Sequence, residues 1–164
     1  MVGGYKVKKK GSNMNSLVEL YPDLFVVKPN SFFEKDELDI SYTVDLAVEV
    51  LKKCAIEYAV NSIEDPDNNY QAVEVCKDRF IDGACWYATN FTKLNVLTNK
   101  KYDIVLKTAS SIYARDYCKN VHLDEEDYTR EDAALLKDIV IDDFREGVKY
   151  AEFNMMCKLL EDIL

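Results

Sequence analysis

The sequence predicts an all-α protein, a four-helix bundle-like domain preceded by an extended N-terminal arm. The 164 residues and their 48% apolar content suit one compact domain with its own core. From residue 36 onward, apolar residues recur at the spacing of amphipathic helices. Residues 1–35 lack that period and contain a basic cluster and two prolines. We therefore divide the chain into an arm, residues 1–35, and a helical domain, residues 36–164.

The arm is predicted to be extended because proline removes a backbone donor and biases the residue before it away from the helix. Val26 and Val27, just before Lys28 and Pro29, suit an edge strand or an extended stretch. The positive charge of the arm is concentrated in four residues: Lys6, Lys8, Lys9 and Lys10. Since no acidic residue occurs through Ser16, this segment carries about +4 and leaves about −13 to the rest of a chain whose net charge is −9.

The first two helices of the domain are separated by an Asp- and Asn-rich turn. The first is predicted from Asp36 to just before Pro66, and Asp67 or Asn68 is the expected N-cap of the second. The apolar stripe of the second helix consists of Val73, Cys76, Phe80, Ala84, Tyr87, Phe91 and Leu94. Gly83 within it costs about 1 kcal/mol relative to Ala. We therefore expect a neighbouring helix or a ligand to approach closely at Gly83.

The third helix is predicted to be capped by Thr98 and to fade near Asn120. Thr129 and Asp132 resemble a capping box with Asp in the usual Glu place, and they open the last helix. Its apolar stripe is Ala133, Leu136, Val140, Phe144, Gly147, Val148, Ala151, Met155 and Leu159. Some 35 residues would reach about 50 Å, which is longer than one domain of this size needs. Part of this helix is expected to pack on a partner or to kink at Gly147.

Charge and cysteine content disfavour several classes of protein. A net charge of −9 opposes phosphate contacts, so a general DNA- or RNA-coating role is disfavoured, although the basic arm could touch nucleic acid incidentally. The five cysteines lack C-x-x-C spacing, which predicts packed thiols in a reduced interior rather than a zinc site or disulfides. No uncharged stretch approaches the roughly 18 residues of a membrane span, and the first 20 residues do not resemble a signal peptide. We expect a cytoplasmic protein that binds no membrane, metal or cofactor.

A ribonuclease is one alternative that the sequence leaves open. Arg115 followed by His122 resembles the loosely spaced Arg-polar-x-His signature of HEPN ribonucleases, which are helical domains that dimerise around a phosphodiester. The resemblance implies that Arg115 stabilises the developing phosphorane charge while His122 moves a proton. The competing interpretation is an ordinary helix end, where Arg115, Lys119 and His122 complement the negative end of the dipole.

A helix-binding protein is the second alternative. Residues 80–86, Phe-Ile-Asp-Gly-Ala-Cys-Trp, resemble part of the first homology motif of the apoptosis-regulator family, whose members bind amphipathic helices in a groove. Cys85-Trp86-Tyr87-Ala88 stands where the family has Asn-Trp-Gly-Arg, so the arginine that pairs with the ligand is absent. A buried helix with one glycine is the competing interpretation of this motif.

Acidic residues gather between the last two helices and along the last one. They are Asp124, Glu125, Glu126, Asp127, Glu131, Asp132, Asp138, Asp142 and Asp143. Because the spacing differs from a D-x-D-x-D-G calcium loop, we interpret them as a solvated face and a negatively charged first turn. The first four are predicted to form an acidic interaction surface that receives the basic arm of a neighbouring copy: Asp124, Glu125, Glu126 and Asp127.

The same region carries the resemblance on which the functional prediction depends. Residues 122–127, 131–139 and 145–150 resemble the helical core of tailed-phage head–tail connector proteins, which form rings with bundles and arms that reach neighbours. The chain contains no nucleotide-binding glycine loop and no hydrolase or metalloprotease motif. We expect a non-enzymatic virion or assembly subunit that forms homo-oligomers and contacts other assembly subunits.

Overall fold

The computed structural model describes residues 22–25, 48–120 and 129–163, and 88% of these residues are helical while none lies in a strand. Four long helices form the bundle: α1, Val48–Ser62; α2, Tyr70–Thr89; α4, Asn99–Asn120; and α5, Arg130–Ile163. The short helix α3, Phe91–Leu94, connects α2 to α4, and Pro22–Phe25 form a single 3-10 turn. The predicted all-α bundle is confirmed, whereas the start of the first helix at Asp36 lies outside the described residues.

Helices α2 and α5 form the central pair of the bundle and run in the same direction. Their contacts advance together along both helices, from Arg79 with Asp143 to Ala84 beside Gly147. The backbones approach most closely at two glycines. A Cβ atom built on Gly83 would lie 2.8 Å from the carbonyl carbon of Phe144. The predicted close approach at Gly83 is confirmed, and the neighbour is a helix.

Helix α4 packs against this central pair in the opposite direction. Tyr102, near its start, donates a hydrogen bond from its hydroxyl to Glu152 in the second half of α5, at 3.1 Å. One face of α4 then meets the middle of α5, where the ring of Tyr113 stacks on Phe144 with centroids 4.6 Å apart. The predicted cap of this helix is confirmed, because the Thr98 hydroxyl accepts the backbone N–H of the residue three positions on, at 3.3 Å.

A tight turn joins α1 to α2, so that these two helices form a hairpin. Asp65 takes a positive φ of 51° in this turn. The N-cap is Asn69, whose side-chain amide donates to the backbone carbonyl of Asp65 at 3.1 Å instead of accepting from α2. The expectation that Asp67 or Asn68 caps this helix is therefore wrong, because the turn continues one residue further.

The predicted second helix is interrupted at Asn90. This residue is buried, its backbone N–H donates to the carbonyls of Trp86 and Tyr87, and its side chain donates to Trp86 O at 2.9 Å. These bonds end α2 at Thr89 and let α3 begin in a new direction. Leu94 on α3 still reaches the core, so the apolar stripe is correct although the helix is not continuous.

Helix α5 follows the prediction at its start and departs from it in the middle. The capping box is formed: Asp132 N–H donates to the Thr129 hydroxyl, and Thr129 N–H donates to the Asp132 carboxylate, both at 3.1 Å. The helix runs without interruption through Gly147, from Arg130 to Ile163. The glycine is required instead by the crossing, because a Cβ there would lie 2.7 Å from the carbonyl carbon of Phe80.

Four residues of the predicted arm belong to the folded domain. Leu24, in the Pro22–Phe25 turn, is fully buried, and its carbonyl accepts a hydrogen bond from Trp86 Nε1 at 2.9 Å. The turn packs against α4. The extended conformation predicted for the arm therefore does not hold at these positions, because an apolar side chain finds a place in the core.

Candidate functional site

The core contains a polar network that joins all four long helices. It comprises Tyr58 from α1, Arg79 and Asp82 from α2, Tyr113 and Tyr117 from α4, and Asp143 from α5. Charged side chains this deep in a domain are rare unless they are paired. Both carboxylates and the guanidinium are nearly inaccessible, with 4% of Asp143 and 6% of Arg79 exposed.

The centre of the network is an ion pair between α2 and α5. Arg79 Nε donates to Asp143 Oδ2 at 2.8 Å, and the Tyr58 hydroxyl donates to Asp143 Oδ1, also at 2.8 Å. The guanidinium lies 5.4 Å from the centre of the Tyr117 ring and donates from Nη1 to its hydroxyl at 3.4 Å. One carboxylate and one guanidinium therefore connect four helices.

A second buried pair lies one turn further along α2. The Tyr113 hydroxyl donates to Asp82 Oδ2 at 2.5 Å. Burial and the neighbouring Asp82 carboxylate both raise the pKa of Tyr113, so its hydroxyl stays protonated and keeps donating. This bond ties α4 to α2 beside the crossing of α2 and α5.

Burial and the charges of the network shift the pKa values of the groups within it and beside it. Burial and then the Asp143 charge raise the pKa of the Cys76 thiol to about 12, which leaves it neutral and non-nucleophilic at pH 7. Burial acts to lower the pKa of Arg79, but Asp143 and Tyr117 outweigh it and the net direction is upward. Within the described part of the chain, every buried side-chain nitrogen and oxygen has a hydrogen-bond partner. A satisfied buried ion pair of this kind restricts how the helices can pack.

The charged residues of this network are in phase with the predicted apolar stripes, although the stripes as predicted leave them out. Arg79 lies three positions after Cys76 on the buried stripe of α2, and Asp143 lies three after Val140 on that of α5. A charged residue in phase with a core stripe indicates a buried pair. The interpretation of Asp143 as part of a solvated acidic face is wrong, because the α2–α5 contact covers it.

The predicted interaction residues lie outside the part of the chain that the structure describes. This holds for the arm lysines, Lys6, Lys8, Lys9 and Lys10. It also holds for the acidic surface, Asp124, Glu125, Glu126 and Asp127. Their meeting therefore stays a prediction, whereas the acidic residues that directly follow in the first turn of α5, Glu131 and Asp132, are exposed as expected.

The structure describes half of the candidate ribonuclease pair. Arg115 is exposed on α4, and its Nε lies 3.4 Å from the carboxylate of the adjacent Asp116. His122 lies outside the described residues. The distance between the two side chains is thus untested, and the described member is engaged with a carboxylate on its own helix.

The residues of the apoptosis-regulator-like motif have intramolecular roles. Asp82 accepts the hydrogen bond from Tyr113, Gly83 allows α5 to approach, and the Trp86 indole donates to Leu24. All three are buried. These contacts account for the spacing of the motif without a bound helix.

Two large apolar side chains are exposed in the first turns of α5. Leu135 is 61% exposed and Ile139 is 41% exposed, and both lie in line with Glu131 at four-residue spacing. The fully buried residues of α5 begin only at Val140. We call Glu131, Leu135 and Ile139 the α5 stripe.

Other kinds of site are not found in the described segments. No group of three or more His, Cys, Asp or Glu side chains there is arranged to hold a metal ion. None of the described helices combines the length and apolar character of a membrane span. The five cysteines are buried or half-buried within the helices.

Comparison of the chain with protein-family models, curated proteins and solved structures finds no match. Functional proposals for this protein therefore depend on its own residues.

Proposed function

We propose that this protein is a non-enzymatic assembly subunit that associates with copies of itself, in the manner of virion head–tail connector proteins. The observation that carries the proposal is the α5 stripe. Leu135 and Ile139 expose large apolar side chains in the first turns of α5, before the fully buried residues of this helix begin at Val140. Surface apolar side chains arranged in line on a helix are typical of contacts with another protein.

The distribution of charge along the chain indicates which partner this surface binds. The first 16 residues carry about +4, whereas the α5 stripe begins with Glu131 and lies directly after the acidic segment Asp124–Asp127. A basic segment and an acidic helix start on the same chain attract each other between copies. A second copy of the chain therefore matches both the apolar and the charged character of this surface.

The buried network supports the non-enzymatic part of the proposal. The neighbouring Cys76 thiol and the Tyr113 hydroxyl have raised pKa values, and the carboxylates of the network are engaged with Arg79, Tyr58 and Tyr113. A catalytic centre instead requires groups that are poised to change protonation or to accept a substrate.

The test is sedimentation velocity over a range of protein concentrations at 50 mM and 500 mM NaCl. We expect association that weakens in high salt, because surface charges are screened. Charge reversal of Lys6, Lys8, Lys9 and Lys10 to Glu should abolish the salt-sensitive association. The matched control reverses four exposed lysines of the bundle: Lys52, Lys53, Lys100 and Lys101.

The apolar part is tested with Leu135→Gln combined with Ile139→Gln. These exposed positions should tolerate Gln without loss of folding, while association weakens at least tenfold. Val96→Gln combined with Ile56→Gln is the control, since these side chains are 72% and 45% exposed and both lie outside α5.

Three results would overturn the proposal. The first is a monomer at all concentrations and both salt concentrations. The second is metal-independent RNA cleavage that is lost in His122→Ala, as expected for a HEPN ribonuclease. The third is a monomer that binds an amphipathic helix in calorimetry, as expected for an apoptosis regulator.

A further inference from the structure

The Pro22–Phe25 turn is seated in a specific place on the bundle. Leu24 is fully buried, Phe25 is half-buried against the same core, and the backbone carbonyl of Leu24 accepts the indole N–H of Trp86. We call this turn the anchor and its seat, formed by Trp86 on α2 and the adjoining face of α4, the socket. The anchor combines an apolar side chain with a directed backbone hydrogen bond, which are the two elements of short-peptide recognition.

The anchor takes no part in two of the contacts that join the long helices. The Arg79–Asp143 network and the glycine crossing involve only the helices. Releasing the anchor therefore breaks neither of them. The helical bundle keeps these two contacts whether its socket holds the anchor of the same chain or the anchor of a second copy.

The segment between the anchor and α1 is long enough for the anchor to contact a second copy of the chain. Twenty-two residues separate Phe25 from Val48, the start of α1. A segment of that length spans at most about 75 Å when fully extended, which exceeds the roughly 50 Å length of α5. The anchor of one copy can thus reach the socket of an adjacent copy. Because the same contacts form within one chain or between two, concentration decides which arrangement prevails.

We propose that the anchor is exchangeable and that, in the assembled protein, each socket holds the anchor of a second copy. This inference rests on the proposed self-association and adds its specific contact. The lysines of the arm attract an acidic neighbour from a distance, and Leu24 then fixes the arm in the Trp86 socket. Electrostatic attraction accelerates such an encounter, while the buried apolar contact determines how long it lasts.

The test uses a fluorescein-labelled peptide of residues 17–30, which contains Leu24 and lacks Lys6–Lys10. It is added to the full chain carrying Leu24→Asp, whose own anchor cannot fill the socket. We expect saturable binding by anisotropy, together with a change in the emission of Trp86, the single tryptophan of the chain. A peptide with Leu24→Ala should bind at least about 30-fold more weakly. The unaltered chain, whose socket is occupied, should bind the peptide at least tenfold more weakly than the Leu24→Asp chain.

The inference is overturned if circular dichroism shows that the Leu24→Asp chain is folded and the peptide containing Leu24 binds this chain no better than the Leu24→Ala peptide does. If that variant does not fold, the unaltered chain with excess peptide decides the matter by native mass spectrometry. A one-to-one adduct that requires Leu24 supports exchange, and its absence refutes it.

Sedimentation velocity separates this inference from the proposed function. A chain that is monomeric under all conditions removes the proposed function, and the inference falls with it. A chain that assembles equally well with and without Leu24→Asp leaves the proposed function standing and refutes the anchor exchange alone.

Discussion

Replacing Gly147 with Ala tests the central feature of the fold, the close crossing of α2 and α5. The new Cβ would lie 2.7 Å from the carbonyl carbon of Phe80 and 3.0 Å from the backbone nitrogen of Ala84. Ordinary contacts between carbon atoms are about 3.5–4.0 Å, so the two helices must separate by about 1 Å. Both opposing atoms belong to the backbone, and no change of rotamer can relieve the overlap.

The expected change in the free energy of unfolding has two opposing contributions. Overpacking of a core costs about 1–3 kcal/mol, and the rigid backbone places Gly147→Ala at the upper end of that range. The higher helix propensity of Ala returns about 1 kcal/mol. We expect a net loss of about 2 kcal/mol in the free energy of unfolding. In a protein of this length this lowers Tm by about 4–8 °C.

The assay is urea unfolding, followed both by circular dichroism at 222 nm and by Trp86 fluorescence. Ala134→Ser adds one heavy atom at an exposed position of the same helix and should change stability by less than about 0.5 kcal/mol. Gly83→Ala combined with Gly147→Ala should cost less than the sum of the single variants, because one separation of the helices accommodates both methyl groups. If Gly147→Ala is as stable as the unaltered protein or more stable, helix propensity dominates and the close crossing is refuted.

Two further predictions concern the buried network. Arg79→Met removes the cation beside Asp143 and leaves a buried carboxylate that still accepts from the Tyr58 hydroxyl but has lost its counter-charge, so we expect a loss of about 3–5 kcal/mol in urea unfolding. Combining it with Asp143→Leu should recover much of that loss, and a double variant less stable than Arg79→Met would contradict the ion-pair explanation. The free energy of unfolding should also fall at alkaline pH. Burial, and to a lesser extent the Asp143 charge, raises the pKa of Cys76 from 9.0 to about 12. Burial, and to a lesser extent the Glu152 charge, raises the pKa of Tyr87 from 10.0 to about 12. Raised values favour the protonated groups in the folded state, so this stabilisation is complete below pH 9 and is lost as the pH rises toward 12. Urea unfolding at pH 7, 9 and 10.5 should show a decline of about 2 kcal/mol between the last two values. Cys76→Ala should reduce this decline and leave the smaller share that Tyr87 contributes; an unchanged stability at pH 10.5 would contradict the raised pKa values.

Much of the helical architecture was predictable because its causes are local in sequence. The spacing of apolar residues identifies the face of each helix that is buried, and Val140, Phe144 and Val148 are buried as that spacing predicts. The caps at Thr98 and Thr129 involve residues three positions apart. Such contacts depend on the chain nearby and not on the rest of the fold.

The interruption at Asn90 shows the limit of periodicity. The apolar stripe continues through it to Leu94, so the pattern predicts one helix where the structure has two. What ends α2 is the burial of the Asn90 side chain and its bond to the carbonyl of Trp86. An Asn that competes for backbone hydrogen bonds can end a helix, but the surrounding structure decides whether it does.

The candidate site divides in the same way. The sequence by itself determined four amphipathic helices, a close approach at Gly83, and a split of charge between a basic arm and an acidic remainder. Only the tertiary structure decided that Arg79 meets Asp143, 64 residues away, and that Leu24 occupies a socket at Trp86, 62 residues away. Periodicity specifies which face of a helix is apolar, whereas the partner of a buried charge or an anchoring leucine is fixed by how several faces pack together, which no local pattern contains.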